Sequence, residues 1–240
     1  MQRCPPPAGQ ADFDAAPRHK IRGTLPWGTV RNLGHGTVRK WVAEGGDFGR
    51  ELMITAALAG PNFPVLSAWG KFVDGSGARG TVIDTEYAGQ PLADCLAPFH
   101  SDDSACLARR VAAQLLSALN RAQRGLRFTH YDLHRGNVLV EYAPRGPVAT
   151  IVDFGLSRAT LRGGQCLEPV GGRLNGAYAP CIDCYDLAEA LPPASRDWRG
   201  RDRADYDSLR SALRSCGSPK RLIKSHPFLC GDYIELDDVF

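Results

Sequence analysis

The chain has 240 residues, 43% of them apolar, and a formal net charge of +3, enough to bury a sizeable core as one large domain or two small lobes. Its 29 basic and 26 acidic residues are interspersed, which argues against a polyanion-binding surface and so against nucleic acid as a partner. No run approaches the roughly 20 apolar residues of a spanning helix, and no basic-then-apolar leader opens the chain; with eight dispersed cysteines that suit free thiols, the reading is a cytoplasmic protein with no membrane partner.

Residues 1–18 carry four prolines and no apolar periodicity, the pattern of a flexible tail, so the folded domain is expected over 19–240. From Lys20 to Val42 short β-branched runs alternate with glycine, as in consecutive antiparallel strands with tight turns. Gly34-His35-Gly36 reads as one such turn. Phe48 to Leu58 is built from helix formers, with Leu52, Ala56 and Ala59 expected on one side and Glu51 near its start. Two more strands follow, PVLSAWGKFV and GTVIDTEY, divided by DGSGARG. Gly89-Gln90-Pro91 interrupts the pattern. Beyond it, Leu107, Val111, Leu115, Leu116 and Leu119 mark a long amphipathic helix that Ser101 or Asp102 can cap. FTHYDLHRGNVLVEY then reads as a loop running into a hairpin whose second strand is VATIVDFG. DCYDLAEAL and RADYDSLRSALRS read as further helices, and RDWRGRDRADYD as a solvated face. Cys181 and Cys184 form a C-x-x-C pair, but no two further ligands lie at a recognised spacing, so no zinc site is assigned.

The chemistry concentrates in His130-Tyr-Asp132-Leu-His134-Arg-Gly-Asn137, followed 21 residues after Asp132 by Asp153-Phe154-Gly155. Phosphoryl transfer from ATP needs magnesium held against the phosphates and a hydroxyl held in line. A carboxylate (Asp153) and an amide oxygen (Asn137) are hard oxygen donors of the kind magnesium takes. A second carboxylate, Asp132, can accept or orient the hydroxyl proton.

H-x-D-x-x-x-x-N with D-F-G resembles the eukaryotic-type protein kinase superfamily. D-L-H-x-G-N-V-L is similar to the haspin-like kinases, and T-H-Y-D-L-H to kinase-like proteins of large DNA viruses. The resemblance implies an α+β, bilobal protein-kinase-like fold: a small β-rich N-lobe over about 19–86, a hinge over about 86–90, and a reduced, mainly helical C-lobe over about 91–240. It implies ATP and Mg2+ as cofactors and a protein hydroxyl as acceptor. Lys40 matches the lysine that holds the phosphates, and Glu51, eleven residues on, the helix glutamate that pairs with it. The phosphate-covering loop then falls at Gly23 to Val30, with Gly23, Gly28 and Val30 facing nucleotide. Backbone groups of Glu86 and Ala88 would read adenine, the alternative being an ordinary edge strand. His134 stands where Ser/Thr kinases place a lysine that contacts the transferred phosphate. His130 matches a packed structural residue, and Asp186 an aspartate that braces the catalytic loop, or else a surface acid.

The departures are a proline and a tryptophan in the phosphate loop, no A-P-E after the activation segment, a short C-lobe, and Tyr131 where regulated kinases carry arginine. The reading is therefore a serine/threonine-type protein kinase. The alternatives are a catalytically weak kinase-like binding module and a small-molecule phosphotransferase, which shares H-x-D-x-x-x-x-N.

Overall fold

The computed structural model describes residues 30–43, 48–58, 60–73, 77, 79–95, 104–169, 178–194, 198, 200–215 and 219–229. The architecture is α+β, and the chain divides into two compact units, Met1–Ala59 with Pro64–Tyr87, and Gly60–Phe63 with Ala88–Phe240.

The first unit is an antiparallel sheet of β1 (Val30–Gly34), β2 (Thr37–Ala43), β3 (Leu66–Val73) and β4 (Arg79–Glu86) in the order β1-β2-β4-β3. One helix, α1 (Phe48–Ala57), joins β2 to β3. Gly34, His35 and Gly36 all have positive φ, at 79°, 52° and 74°, a conformation that glycine takes without strain, and they form the β1–β2 turn. β2 is an inner strand, and its register sets Lys40 between Val30 on β1 and Ile83 on β4. Its neighbour Arg39 makes a two-pronged pair with Asp84, Nε to Oδ1 and Nη2 to Oδ2 both at 2.7 Å. Trp41, Ile54, Leu58, Val82 and Ile83 are buried.

The side of helix α1 that carries Leu52 and Ala56 is not its most buried one, and Ala59 lies outside the described residues. The buried stripe is Glu51, Ile54, Thr55 and Leu58, while Leu52 and Ala56 are half-buried. The stripe still has i, i+3, i+4, i+7 spacing, but it admits a carboxylate because Glu51 has a cationic partner in Lys40, and a threonine because Thr55 donates its hydroxyl to the Glu51 backbone carbonyl at 2.8 Å.

The second unit holds β5 (Gln90–Pro91), α2 (Ser104–Leu126), the hairpin β6 (Val138–Ala143) and β7 (Gly146–Ile151), the small pair β8 (Ala159–Thr160) and β9 (Cys166–Leu167), and helices α3 (Pro180–Ala190), α4 (Gly200–Ser215) and α5 (Pro219–Ser225). The Gly-Gln-Pro interruption is itself a short strand, since Gln90 and Pro91 pair with Val140 and Leu139. Gly89 just before it has φ of 103°, and a Cβ there would strike the Val140 carbonyl. Along α2, Val111, Leu115, Leu116 and Leu119 are fully buried and Leu107 half-buried; the candidate caps Ser101 and Asp102 lie outside the described residues. The charged run before and within α4 is not wholly solvated, for Trp198 and Tyr206 are buried in it. Tyr206 donates to the Pro192 carbonyl at 2.7 Å, whereas Arg201 and Arg203 point outward and pair with Asp205 and Asp207 one turn on. Among the described residues, no helix is long and apolar enough to cross a membrane.

Candidate active site

The loop after α2 is anchored by an aromatic cluster. Phe128 lies 6.1 Å from the His130 ring and 6.0 Å from Phe154, His130 lies 5.7 Å from Phe154, and Phe63 joins from its own short segment at 6.4 Å from Phe128 and 6.2 Å from Phe154. Edge-on contacts of this kind favour one ring arrangement beyond their burial. His130 is fully buried, and desolvation holds its imidazole below the ordinary value, so it is neutral. One nitrogen, Nε2, lies 2.9 Å from the Val152 carbonyl and must carry the proton; Nδ1 then accepts the Asp132 N–H at 3.3 Å. It is a packed, structural histidine, with both nitrogens occupied.

The brace of this loop is Asp183, and not Asp186 as the sequence suggested. Asp183 Oδ1 accepts the His130 N–H at 2.8 Å and, at a longer 3.4 Å, that of Tyr131, while Oδ2 accepts from Gln123 Nε2 at 3.3 Å. The two acids stand three apart on α3, close to one helical turn, and Asp183 is the one facing inward: it is fully buried and Asp186 half-buried. Burial pushes the Asp183 carboxyl up to about 7, against the pull of those three N–H donors. The signal that could have found it is its fellows on α3, since Asp183, Cys184, Leu187, Ala188 and Ala190 form the buried set. The brace also holds Tyr131 in a left-handed conformation, φ 66°, which a bulky residue adopts only when its surroundings impose it.

Asp132 emerges from this braced backbone half-buried, with its carbonyl accepting the His134 N–H at 3.0 Å and the Asn137 side-chain amide at 2.9 Å. The same Asn137 nitrogen reaches Asp132 Oδ2 at 3.5 Å. With its NH2 so occupied, Asn137 has only Oδ1 to present to a cation, which is the donor type magnesium takes. His134 is exposed; its Nδ1 accepts the Gly136 N–H at 3.0 Å and its Nε2 lies 3.8 Å from Asp132 Oδ2. A cavity of about 150 Å3 lies alongside, lined by Asp132, His134, Arg135, Asp186 and Glu189 together with Leu133 and Ala190.

Asp153 follows β7. Val152 is held from both sides, its N–H donating to the Asn137 carbonyl at 3.0 Å and its carbonyl accepting from His130. Asp153 has φ of 65°, and its Oδ1 accepts the Gly155 N–H at 3.3 Å, so the carboxylate is exposed while Phe154 next to it is buried. Asn137 and Asp153 thus leave neighbouring strand ends joined by one hydrogen bond, and their amide and carboxylate oxygens are of the donor type that magnesium takes.

Beyond Asp153 the chain is tied down by Arg158. This buried guanidinium donates to Glu168 Oε1 at 3.3 Å, the Arg127 carbonyl at 3.2 Å and Cys166 Sγ at 3.0 Å. Ser157 is fully buried and donates to the His130 carbonyl at 3.2 Å.

In the first unit Lys40 Nζ meets Glu51 Oε1 at 2.6 Å. The eleven-residue spacing suffices because α1 begins five residues after β2 ends. Val30 is exposed at the start of β1; Gly23 and Gly28 lie outside the described residues. Glu86 donates its N–H to the Val65 carbonyl at 3.0 Å, so the one backbone group it could offer a base edge is its carbonyl. Ala88 stands just past the point, Tyr87 to Ala88, where the two units divide.

The chain matches a family described as APH, Phosphotransferase enzyme family, over residues 78–162. That stretch is a little over a third of the chain and takes in Glu86, Ala88, Asp132, His134, Asn137 and Asp153, but not Lys40 or Glu51. Nothing among the curated proteins matches it. Fold and match together support a phosphotransferase of the kinase-like superfamily.

Proposed function

We propose that the chain is an ATP- and magnesium-dependent phosphotransferase that delivers the γ-phosphoryl group to a hydroxyl. The observation that carries this reading is the Asn137 amide bonded to Asp132, which fixes a base and a cation ligand in one turn of chain. A magnesium ion, if bound, would supply positive charge to offset that developing on the phosphoryl oxygens. Asp153 and Asn137 Oδ1 are the residues to hold it. Asp132 orients the acceptor hydroxyl and takes its proton, in the cavity that it shares with His134 and Arg135. Lys40, held by Glu51, provides a fixed cation for the α- and β-phosphates.

For the acceptor, the catalytic motifs favour a serine or threonine hydroxyl of a protein. The similarity to the phosphotransferase enzyme family supports a second reading, transfer to a small-molecule hydroxyl. Radiolabelled ATP supplied with a mixed protein substrate, and in parallel with a panel of amino-alcohols and sugars, decides between them: label in protein supports the first, label in a small molecule the second. No label in either arm, with no ATP turnover, removes the enzymatic reading and leaves a nucleotide-binding module.

A further inference from the structure

Strand β7 is the outer strand of its sheet, and such an edge presents backbone groups that a further strand would otherwise take up. Here alternate residues carry them, and four of these groups are met from outside the sheet. Gln114 on α2 donates from Nε2 to the Pro147 carbonyl at 2.8 Å and accepts the Ala149 N–H on Oε1 at 2.8 Å. Asn62 donates from Nδ2 to the Ala149 carbonyl at 2.8 Å, and its own carbonyl accepts the Ile151 N–H at 2.9 Å. The two amides also bond each other, Asn62 Nδ2 to Gln114 Oε1 at 3.1 Å. Arg121 donates to Asn62 Oδ1 at 3.2 Å and to the Pro61 carbonyl at 2.7 Å, which fixes the amide with its NH2 toward β7. Asn62 is buried and has φ of 68°, a conformation asparagine tolerates better than most residues.

This arrangement lies two residues from Asp153. Ile151 is gripped on its edge side by Asn62, Val152 on its other side by Asn137 and His130, and the next residue is the candidate cation ligand. We propose that Asn62 is a positioning residue for Asp153: by standing in for a fourth strand it sets the end of β7, and so the place of the carboxylate relative to Asn137. This inference rests on the proposed magnesium-nucleotide site.

The test uses the full chain. Asn62→Gly keeps the left-handed backbone and removes the amide; Gln114→Met frees the same edge from the α2 side and serves if the first variant does not fold. Tyr206→Phe, which removes a buried hydrogen bond in α4 remote from β7, is the control for loss of stability alone. Two quantities are read: amide exchange at Ala149 in the ligand-free protein, whose acceptor Gln114→Met removes, and the magnesium concentration giving half of the ATP-induced rise in melting temperature. Faster Ala149 exchange in Gln114→Met and at least a fivefold higher magnesium requirement in the Asn62 or Gln114 variant, with neither in Tyr206→Phe, is the expected result. A magnesium requirement equal to wild type, or one raised equally in Tyr206→Phe, overturns the proposal. If wild type itself gives no magnesium-dependent shift, the nucleotide site fails and this inference with it.

Discussion

Oδ1 of Asp183 accepts the backbone N–H of His130 at 2.8 Å, so a helix residue 53 positions downstream fixes the peptide just before the loop that carries Asp132. The group that does so is a carboxyl raised from 3.8 to about 7, first by burial. Between those two values the native chain holds a proton that the unfolded chain has released, so the free energy of unfolding falls as pH rises through that window and levels off above it. Asp183→Asn cannot titrate. Its melting temperature relative to wild type is expected to climb from pH 4 to pH 7 and then stay constant; parallel curves across that range would refute the assignment.

Glu51 is buried and its partner Lys40 is mostly so. Lys40→Ala leaves a carboxylate without its cation in a poorly solvated place, which costs about 1–3 kcal/mol. Glu51→Gln keeps an acceptor for the ammonium and is expected to cost less. Denaturant melts of the two variants check the order, and a larger loss for Glu51→Gln would contradict it.

In kinases switched on by phosphorylation, an added phosphate supplies the anion that orders an arginine and its loop. Here Tyr131 replaces the arginine before Asp132, and Arg158 already has Glu168 as its anion. The hydrogen bond from the Cys166 thiol, and then the pairing with Arg158, draw the Glu168 carboxyl below its ordinary range. Activity is therefore expected to survive phosphatase treatment within a factor of about two. A fall of more than tenfold, roughly 1.4 kcal/mol in the barrier, would show that an added phosphate is required.

Asp132 and Asn137 touch yet are assigned different tasks. Asp132→Asn is expected to lower phosphotransfer by about a hundredfold or more, in line with loss of a positioned base, while ATP binding is unchanged. Asn137→Ala removes both a cation ligand and the bond to Asp132, so it is expected to weaken ATP binding as well as turnover. Calorimetric titration of both variants with ATP and magnesium separates them, and equal losses of affinity would merge the two roles.

Much of this was legible in the sequence because it is local. Strands β1 to β4, the α1 helix and the β6–β7 hairpin depend on spacing within short windows, and period alone recovers them. What was misread depends on which way a side chain faces. The resemblance points to Asp186 alone, whereas both acids lie in one short helix and only the packing of α3 tells the inward acid, Asp183, from the outward one. The stripe Glu51, Ile54, Thr55, Leu58 was missed for a similar reason: apolar residues at Leu52 and Ala56 gave an equally periodic face, and the acid that displaces it is stable inward only because Lys40 on another element reaches it. Asn62 gave no signal at all, since its partners on α2 and β7 are 52 and 87 residues away.

The most direct test of the central claim is nucleotide binding itself. A ligand that binds only the native state raises the melting temperature, by an amount set by its affinity. ATP with magnesium is expected to stabilise the wild-type chain by several degrees, ATP with a chelator to do so weakly, and Asp153→Ala to lose the magnesium-dependent part while melting normally without ligand. No shift in wild type, or an Asp153→Ala protein that responds to magnesium and ATP as wild type does, would contradict the site described for Asp132, Asn137 and Asp153.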